Sequence, residues 1–156
     1  MVKSIILVTM SKWKLKMIGL AKHVATWSKD KSTQVGAVIV NDRGTVLSMG
    51  YNGFARGVND NIPLRDERPL KYSYTPHAEA NAIYNAAAEG VSLRDASIYV
   101  TLFTCSGCAN AIVQSGIIKV YVPEIDESHE RDQRWMDEFK IAKTILDEGK
   151  VEIEFY

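Results

Sequence analysis

The chain has 156 residues, 46% of them hydrophobic, enough to bury one full core. Its 19 Lys and Arg balance its 19 Asp and Glu, so no net field draws it onto a polynucleotide or a membrane surface. A single domain over residues 1–156 is expected, acting on a small molecule with no nucleic-acid or membrane partner.

The predicted elements alternate along the chain. Ile5-Ile6-Leu7-Val8 is too short to span a bilayer and has no clear cleavage site; Met10 is an alternative start. Lys12 to Ser28 carries apolar residues at Leu15, Ile18, Ala21, Val24 and Ala25, an amphipathic helix. Its lysines read as a solvated face. Gln34–Val40 and Thr45–Tyr51 read as strands joined by the hairpin turn Asn41-Asp42-Arg43-Gly44. Gly53 to Tyr74 is a long polar loop of the length that often carries function. Thr75 as N-cap, Pro76 in the first turn and Gly90 at the end bracket an Ala-rich helix. Ser97–Phe103 is a strand by its β-branched and aromatic content, and Thr104 is positioned to cap a helix over Cys105–Ser115. A strand at Ile118–Val122, a helix at Arg131–Glu148 with Trp135 and Phe139 on its apolar stripe, and a strand at Val151–Phe155 complete the pattern. The sum is a three-layer α/β/α sandwich around a five-stranded mixed sheet.

The chemistry concentrates in His77-Ala78-Glu79 and Cys105-Ser106-Gly107-Cys108. His77, Cys105 and Cys108 supply three zinc ligands and leave a fourth position for water, the arrangement of an open catalytic zinc site. Glu79 stands beside the His as a proton carrier that need not bind metal. The pairing of His-x-Glu with Cys-x-x-Cys is the signature of zinc nucleobase deaminases. Both halves fall in first turns of helices, where partial positive charge favours thiolates. In that chemistry zinc lowers the pKa of water towards ~7, and Glu79 moves a proton to N3 of cytosine and then to the departing amine.

Blander readings account for less. A thioredoxin-like redox pair leaves His77 and Glu79 without a role. A structural zinc site needs a fourth protein ligand, yet His23 sits on an amphipathic helix and His129 in a charged stretch. Both cysteines are used at the proposed metal, which points to a reducing, cytoplasmic compartment.

Further segments extend the pattern: Ser28-Lys29-Asp30, Gln34-Val35-Gly36-Ala37, Gly50-Tyr51-Asn52-Gly53, and Lys71-Tyr72 and Tyr74 ahead of His77-Ala78-Glu79. From about Ser28 to Val122 the chain resembles the deoxycytidylate deaminases of the cytidine deaminase superfamily. The resemblance implies zinc-dependent conversion of dCMP to dUMP with release of ammonia, in the supply of thymidylate precursor. It implies zinc on His77, Cys105 and Cys108, Glu79 as proton shuttle, Asn52 on the sugar, and the Gly36-Ala37 backbone lining the base pocket. By the same similarity Ser28, Lys29 and Thr33 are candidates for the 5′-phosphate. Arg56, Arg65, Arg68 and Lys71 in the long loop, and Arg131 and Arg134 beyond it, are candidates by charge. Such relatives are typically homo-oligomers, often regulated by dCTP and dTTP.

The chain departs from the family pattern where Thr104 replaces the usual proline before the first cysteine; a small shift of the loop is expected, with the metal retained. Residues for an additional structural zinc are absent, and Pro123-Glu124-Ile125-Asp126 matches the family poorly. Alternatives that keep the same motif are a deaminase of a free nucleoside or another base, one acting on tRNA or single-stranded DNA, which needs a basic channel, and a zinc-stabilised nucleotide-binding protein.

Overall fold

The computed structural model describes residues 10–156; the apolar run Ile5–Val8 lies outside them. Helix α1 (Lys12–Ala25) is followed by β1 (Gly36–Val40) and β2 (Val46–Tyr51). A 3₁₀ turn (Pro63–Asp66) and the one-turn helix α2 (Lys71–Tyr74) give the long loop local structure. Then come α3 (Ala78–Ala88), β3 (Ser97–Val100), α4 (Ser106–Gln114), β4 (Lys119–Val122), α5 (Glu130–Glu148) and β5 (Glu152–Phe155).

The strands form one sheet in the order β2-β1-β3-β4-β5. β1 runs antiparallel to both β2 and β3, while β3, β4 and β5 are parallel, so the sheet is mixed as the sequence pattern predicts. The hairpin turns as expected, with Gly44 at φ +80° and its N–H bonded to the Asn41 carbonyl at 3.0 Å.

Strand alternation divides the core in two. Val38, Val40, Tyr99 and Tyr121 face Met17, Ile18, Ala21 and Val24 of α1. Ala37, Ile39, Ile98, Val100, Val120 and Val122 face the other way, into the larger cluster. There they meet Ala78, Ala82 and Ala86 of α3, Ala109 and Ile112 of α4, and Phe139, Ala142 and Leu146 of α5. This is the three-layer sandwich.

Two glycines set how closely the helices lie on the sheet. A Cβ on Gly36 would sit 2.0 Å from the Ala21 carbonyl oxygen of α1. One on Gly50 would sit 2.3 Å from the Ala82 nitrogen and 2.5 Å from the Ala78 carbonyl oxygen of α3. The small residues at 78, 82 and 86 repeat every fourth position, so α3 presents its backbone to β2 without intervening side chains.

Several boundaries differ from the sequence reading. Thr75 and Pro76 stand outside α3: Thr75 ends α2 in extended backbone, and the Pro76 carbonyl accepts from the Gly53 N–H at 3.2 Å. His77 is the N-cap residue instead. Strand β3 stops at Val100 because Thr101 leaves the ladder; its N–H bonds to the Gly36 carbonyl and its hydroxyl accepts from the Gly36 N–H. Thr104 caps nothing; Cys105 is the N-cap residue of α4, which starts at Ser106.

Gly50→Ala is expected to destabilise the protein by about 1–3 kcal/mol, the scale of an overpacked core, because helix backbone has no low-cost way to retreat. Gly19→Ala in α1, where an added Cβ meets nothing within 4 Å, is the control and should raise stability by roughly 0.5–1 kcal/mol. Thermal unfolding of the two variants reads both.

Candidate active site

The site forms where α3 and α4 begin. His77 and Cys105 occupy the two N-cap positions, and Glu79 and Cys108 lie in the first turns that follow. Starting both helices beside each other turns their unpaired N–H groups towards one point, where a thiolate or an anion is favoured.

His77, Cys105 and Cys108 bring their ligand atoms within 4.8 Å of one another. His77 Nδ1 lies 3.2 Å from Cys105 Sγ and 3.6 Å from Cys108 Sγ. Nitrogen and sulfur bound to one tetrahedral zinc stand roughly 3.5 Å apart, from bond lengths of ~2.0–2.1 and ~2.3 Å. The donor set therefore fits a zinc ion on geometry and on softness. By themselves the three side chains share charge unequally. A hydrogen bond from Cys108 holds Cys105 down to about 4, against the effect of burial and with help from His77. The bond to Cys105, opposed by burial, carries His77 up to about 9. The same hydrogen bond, with burial, pushes Cys108 up. A divalent ion takes the place of these protons.

Glu79 is 4% exposed, and burial raises its carboxyl above the ordinary value despite the opposing charge of His77. It shares a cavity with His77 and Cys105. Asp30, Thr33, Val35 and Asn52 line the same cavity, as do the aromatic rings of Tyr72, Trp135 and Phe139. Trp135 stands edge-on to His77 at 5.8 Å and to Tyr72 at 6.0 Å. Arg68, Lys71 and Arg134 also line it.

The family-derived contacts are only partly brought there. Thr33 and Asn52 line the cavity, but the Asn52 amide is engaged: Oδ1 accepts from the Val35 N–H at 2.8 Å, and Nδ2 donates to the Thr33 carbonyl at 2.9 Å. Asn52 therefore braces the wall. Gly36 and Ala37 do not line the cavity. Gly36 faces α1, Ala37 is fully buried in the opposite core, and Val35 holds the expected place. Ser28 is buried outside the lining, its hydroxyl donating to the Asn52 carbonyl at 2.6 Å. Lys29 is exposed and paired with Asp60 at 2.8 Å.

The cationic candidates divide in the same way. Arg56 bonds to Asn85, Arg65 lies over the Tyr74 ring and Arg131 pairs with Asp132, whereas Arg68, Lys71 and Arg134 reach the cavity. Lys71 is held there by Asp30, at 2.6 Å. Sequence reasoning missed Asp30, Trp135, Phe139 and Glu138 as site residues. The first stood in a quoted family segment, and the next two read only as core stripe. Glu138 gave no signal.

Glu138, on α5, accepts from the Ser106 hydroxyl at 2.5 Å and from the Ser106 N–H at 3.2 Å. It thereby ties the start of α4, and both cysteines with it, to a neighbouring helix.

Two helix starts converging on a His-Cys-Cys donor set, with a buried glutamate alongside, define a zinc-dependent hydrolytic deaminase. Residues 11–124 match the model of the cytidine and deoxycytidylate deaminase zinc-binding region, and the chain belongs to that family. It is 41% identical over 143 residues to an Aliivibrio fischeri protein described as an uncharacterized deaminase in the luxG 3′ region, covering 92% of each chain. It is 38% identical to human deoxycytidylate deaminase, over 78% of this chain and 69% of that one. The crystal structure of the dCMP deaminase of cyanophage S-TIM5 in apo form superposes with a TM-score of 0.72 at 26% identity, covering 94% of this chain and all of that one.

Glu138→Ala should weaken zinc affinity roughly 10–100-fold, the scale for losing a partner that orients a ligand, while the helical circular dichroism stays intact; competition with a chromogenic chelator measures it. A second expectation concerns acid stability. Burial works to raise the Asp30 carboxyl, but Lys71 and the N–H groups of Thr33 and Ser32 outweigh it and hold it below 3.8. A depressed folded value means that this contribution is complete above 3.8 and disappears as pH falls through the folded value. Asp30→Asn should flatten that part of the acid unfolding curve and lower the unfolding temperature at neutral pH.

Proposed function

We propose that this deaminase converts dCMP and water to dUMP and ammonia. The observation that carries the reading is the buried Glu79 carboxyl sharing one cavity with His77 and Cys105 of the three-donor cluster. The identity to human deoxycytidylate deaminase supports the substrate.

His77, Cys105 and Cys108 would hold the zinc, which when bound supplies a nucleophile from water at neutral pH. Glu79 accepts the proton released from that water and passes it to N3 of the cytosine ring, which makes C4 attackable. It then takes the second proton from the hydroxyl added at C4 and delivers it to the exocyclic nitrogen, so that the C4–N bond breaks, ammonia departs and the C4 carbonyl forms. Burial favours this role, because a carboxyl raised above its ordinary value takes up a proton more readily than an exposed one. Tyr72, Trp135 and Phe139 offer apolar surface to a flat ring and exclude water around the reacting atoms. Arg68 and Arg134, both exposed and on the cavity lining, are the cations we assign to the 5′-phosphate. Lys71 is committed to Asp30 and braces the same wall. Both thiols must stay reduced, which suits a cytoplasmic setting.

The test follows ammonia release from dCMP, CMP, deoxycytidine and a cytosine-containing DNA strand, beside Glu79→Ala. Turnover of dCMP is expected to exceed that of deoxycytidine. Glu79→Ala should keep zinc and lose roughly 10²–10⁴-fold in kcat. Arg68→Ala with Arg134→Ala should raise KM for dCMP and leave deoxycytidine unaffected. An active, zinc-loaded Glu79→Ala protein would overturn the assignment of Glu79.

A further inference from the structure

Hydrogen bonds fix the connection from β3 to α4 at its two ends. Thr101 exchanges hydrogen bonds with Gly36, and Ser106 is held by Glu138. Between them lie Leu102 and Phe103, which line the cavity, and Thr104, whose buried hydroxyl has no hydrogen-bond partner. The middle of this wall is therefore placed by packing. Phe103 is 4% exposed and meets two rings. Phe139 of α5 approaches it edge-on, with centroids 5.3 Å apart and planes at 68°. Phe155 of β5 stacks on it at 5.9 Å, with 11° between the planes.

Phe155 is not a core residue. It stands on the outer strand of the described sheet and keeps 37% of its surface in solvent. β4 separates that strand from β3, so it is the rings that join Phe155 to Phe103, and not strand pairing. The next residue acts on the same connection. Tyr156 donates from its hydroxyl to the Val100 carbonyl at 2.8 Å, and burial, which pushes the phenol up to about 12, keeps it a donor at neutral pH. Two neighbouring residues thus reach across β4, one to the end of β3 and the other to the ring on the cavity wall.

We infer that Phe155 is a positioning residue for substrate binding, which by stacking on Phe103 sets the cavity wall against which the base lies. This rests on the reading of the cavity as the site of a cytosine nucleotide. An apolar wall meets the ring in the bound substrate and in the transition state alike, so displacing it weakens binding without slowing the chemical step. Phe155 falls beyond residues 11–124, the segment that matches the family model, so the zinc-binding motif carries no signal of this role.

Zinc content, unfolding temperature, kcat and KM are measured for the parent protein, Phe155→Ala, Phe155→Leu and Phe155→Tyr, with dCMP and deoxycytidine as substrates. Phe155→Ala should raise KM for both substrates by the same factor, roughly 2–10-fold, the scale of one aromatic pair, with kcat and zinc content unchanged. Phe155→Leu keeps apolar bulk without the flat face, so it should raise KM as well even if the Ala variant folds poorly. Phe155→Tyr should restore the parental KM. Parental KM in the Ala and Leu variants, with a lowered unfolding temperature, overturns the inference and leaves Phe155 as packing alone. A rise in KM confined to dCMP overturns it, since the effect would then lie at the phosphate. Loss of zinc also overturns it, because the change would run through Cys105. A zinc-loaded parent that turns over neither substrate overturns the nucleotide reading and this inference with it, whereas parental turnover with unaffected variants removes only the role of Phe155.

Discussion

Three metal-ligating side chains and a carboxylate repel, compete for protons and resist burial unless the backbone holds them in place. Here two helix N-termini provide that hold. α3 and α4 start side by side because β1 and β3 are adjacent in the sheet and both helices pack on the same face. Their free N–H ends favour the negative charge that thiolates and Glu79 bring to one point. The glycine at position 50 belongs to the same arrangement, since any larger residue would push α3 and its first turn off the sheet.

Charge is distributed around the site in the same economical way. Asp30 lies at the centre of a brace that accepts from Lys71, from the Thr33 and Ser32 N–H groups and, at 3.3 Å, from the Asn52 amide. Asn52 in turn ties Val35 and Thr33 together. This network joins three segments distant in sequence into one cavity wall. It also explains why a polar residue on that wall need not be a substrate contact: its hydrogen-bonding groups are already engaged.

α5 gives the site what the motif segments lack. Trp135 and Phe139 add aromatic surface, Arg134 adds charge, and Glu138 anchors the start of α4. The match to the family model ends at residue 124, before this helix. The motif segments supply the donor cluster, while residues from a separate helix line the cavity beside it.

Much of this was legible in the residues themselves. Ligand chemistry and short-range spacing pointed to His77, Glu79, Cys105 and Cys108, and the fold brings His77, Cys105 and Cys108 together with Glu79 on the adjoining cavity wall. Strand alternation and helical periodicity, which act over a few residues, located the five strands and the long helices of the described residues. Tertiary structure alone decided that Gly36 serves packing against α1, that Lys29 points to Asp60, and that the Asn52 amide is used internally. It also decided that Glu138 meets Ser106 and that the buried Thr104 hydroxyl has no hydrogen-bond partner. The division has a physical basis. A residue's chemistry and its local period are properties of the sequence, whereas a side chain's partner depends on which distant segment the fold places against it.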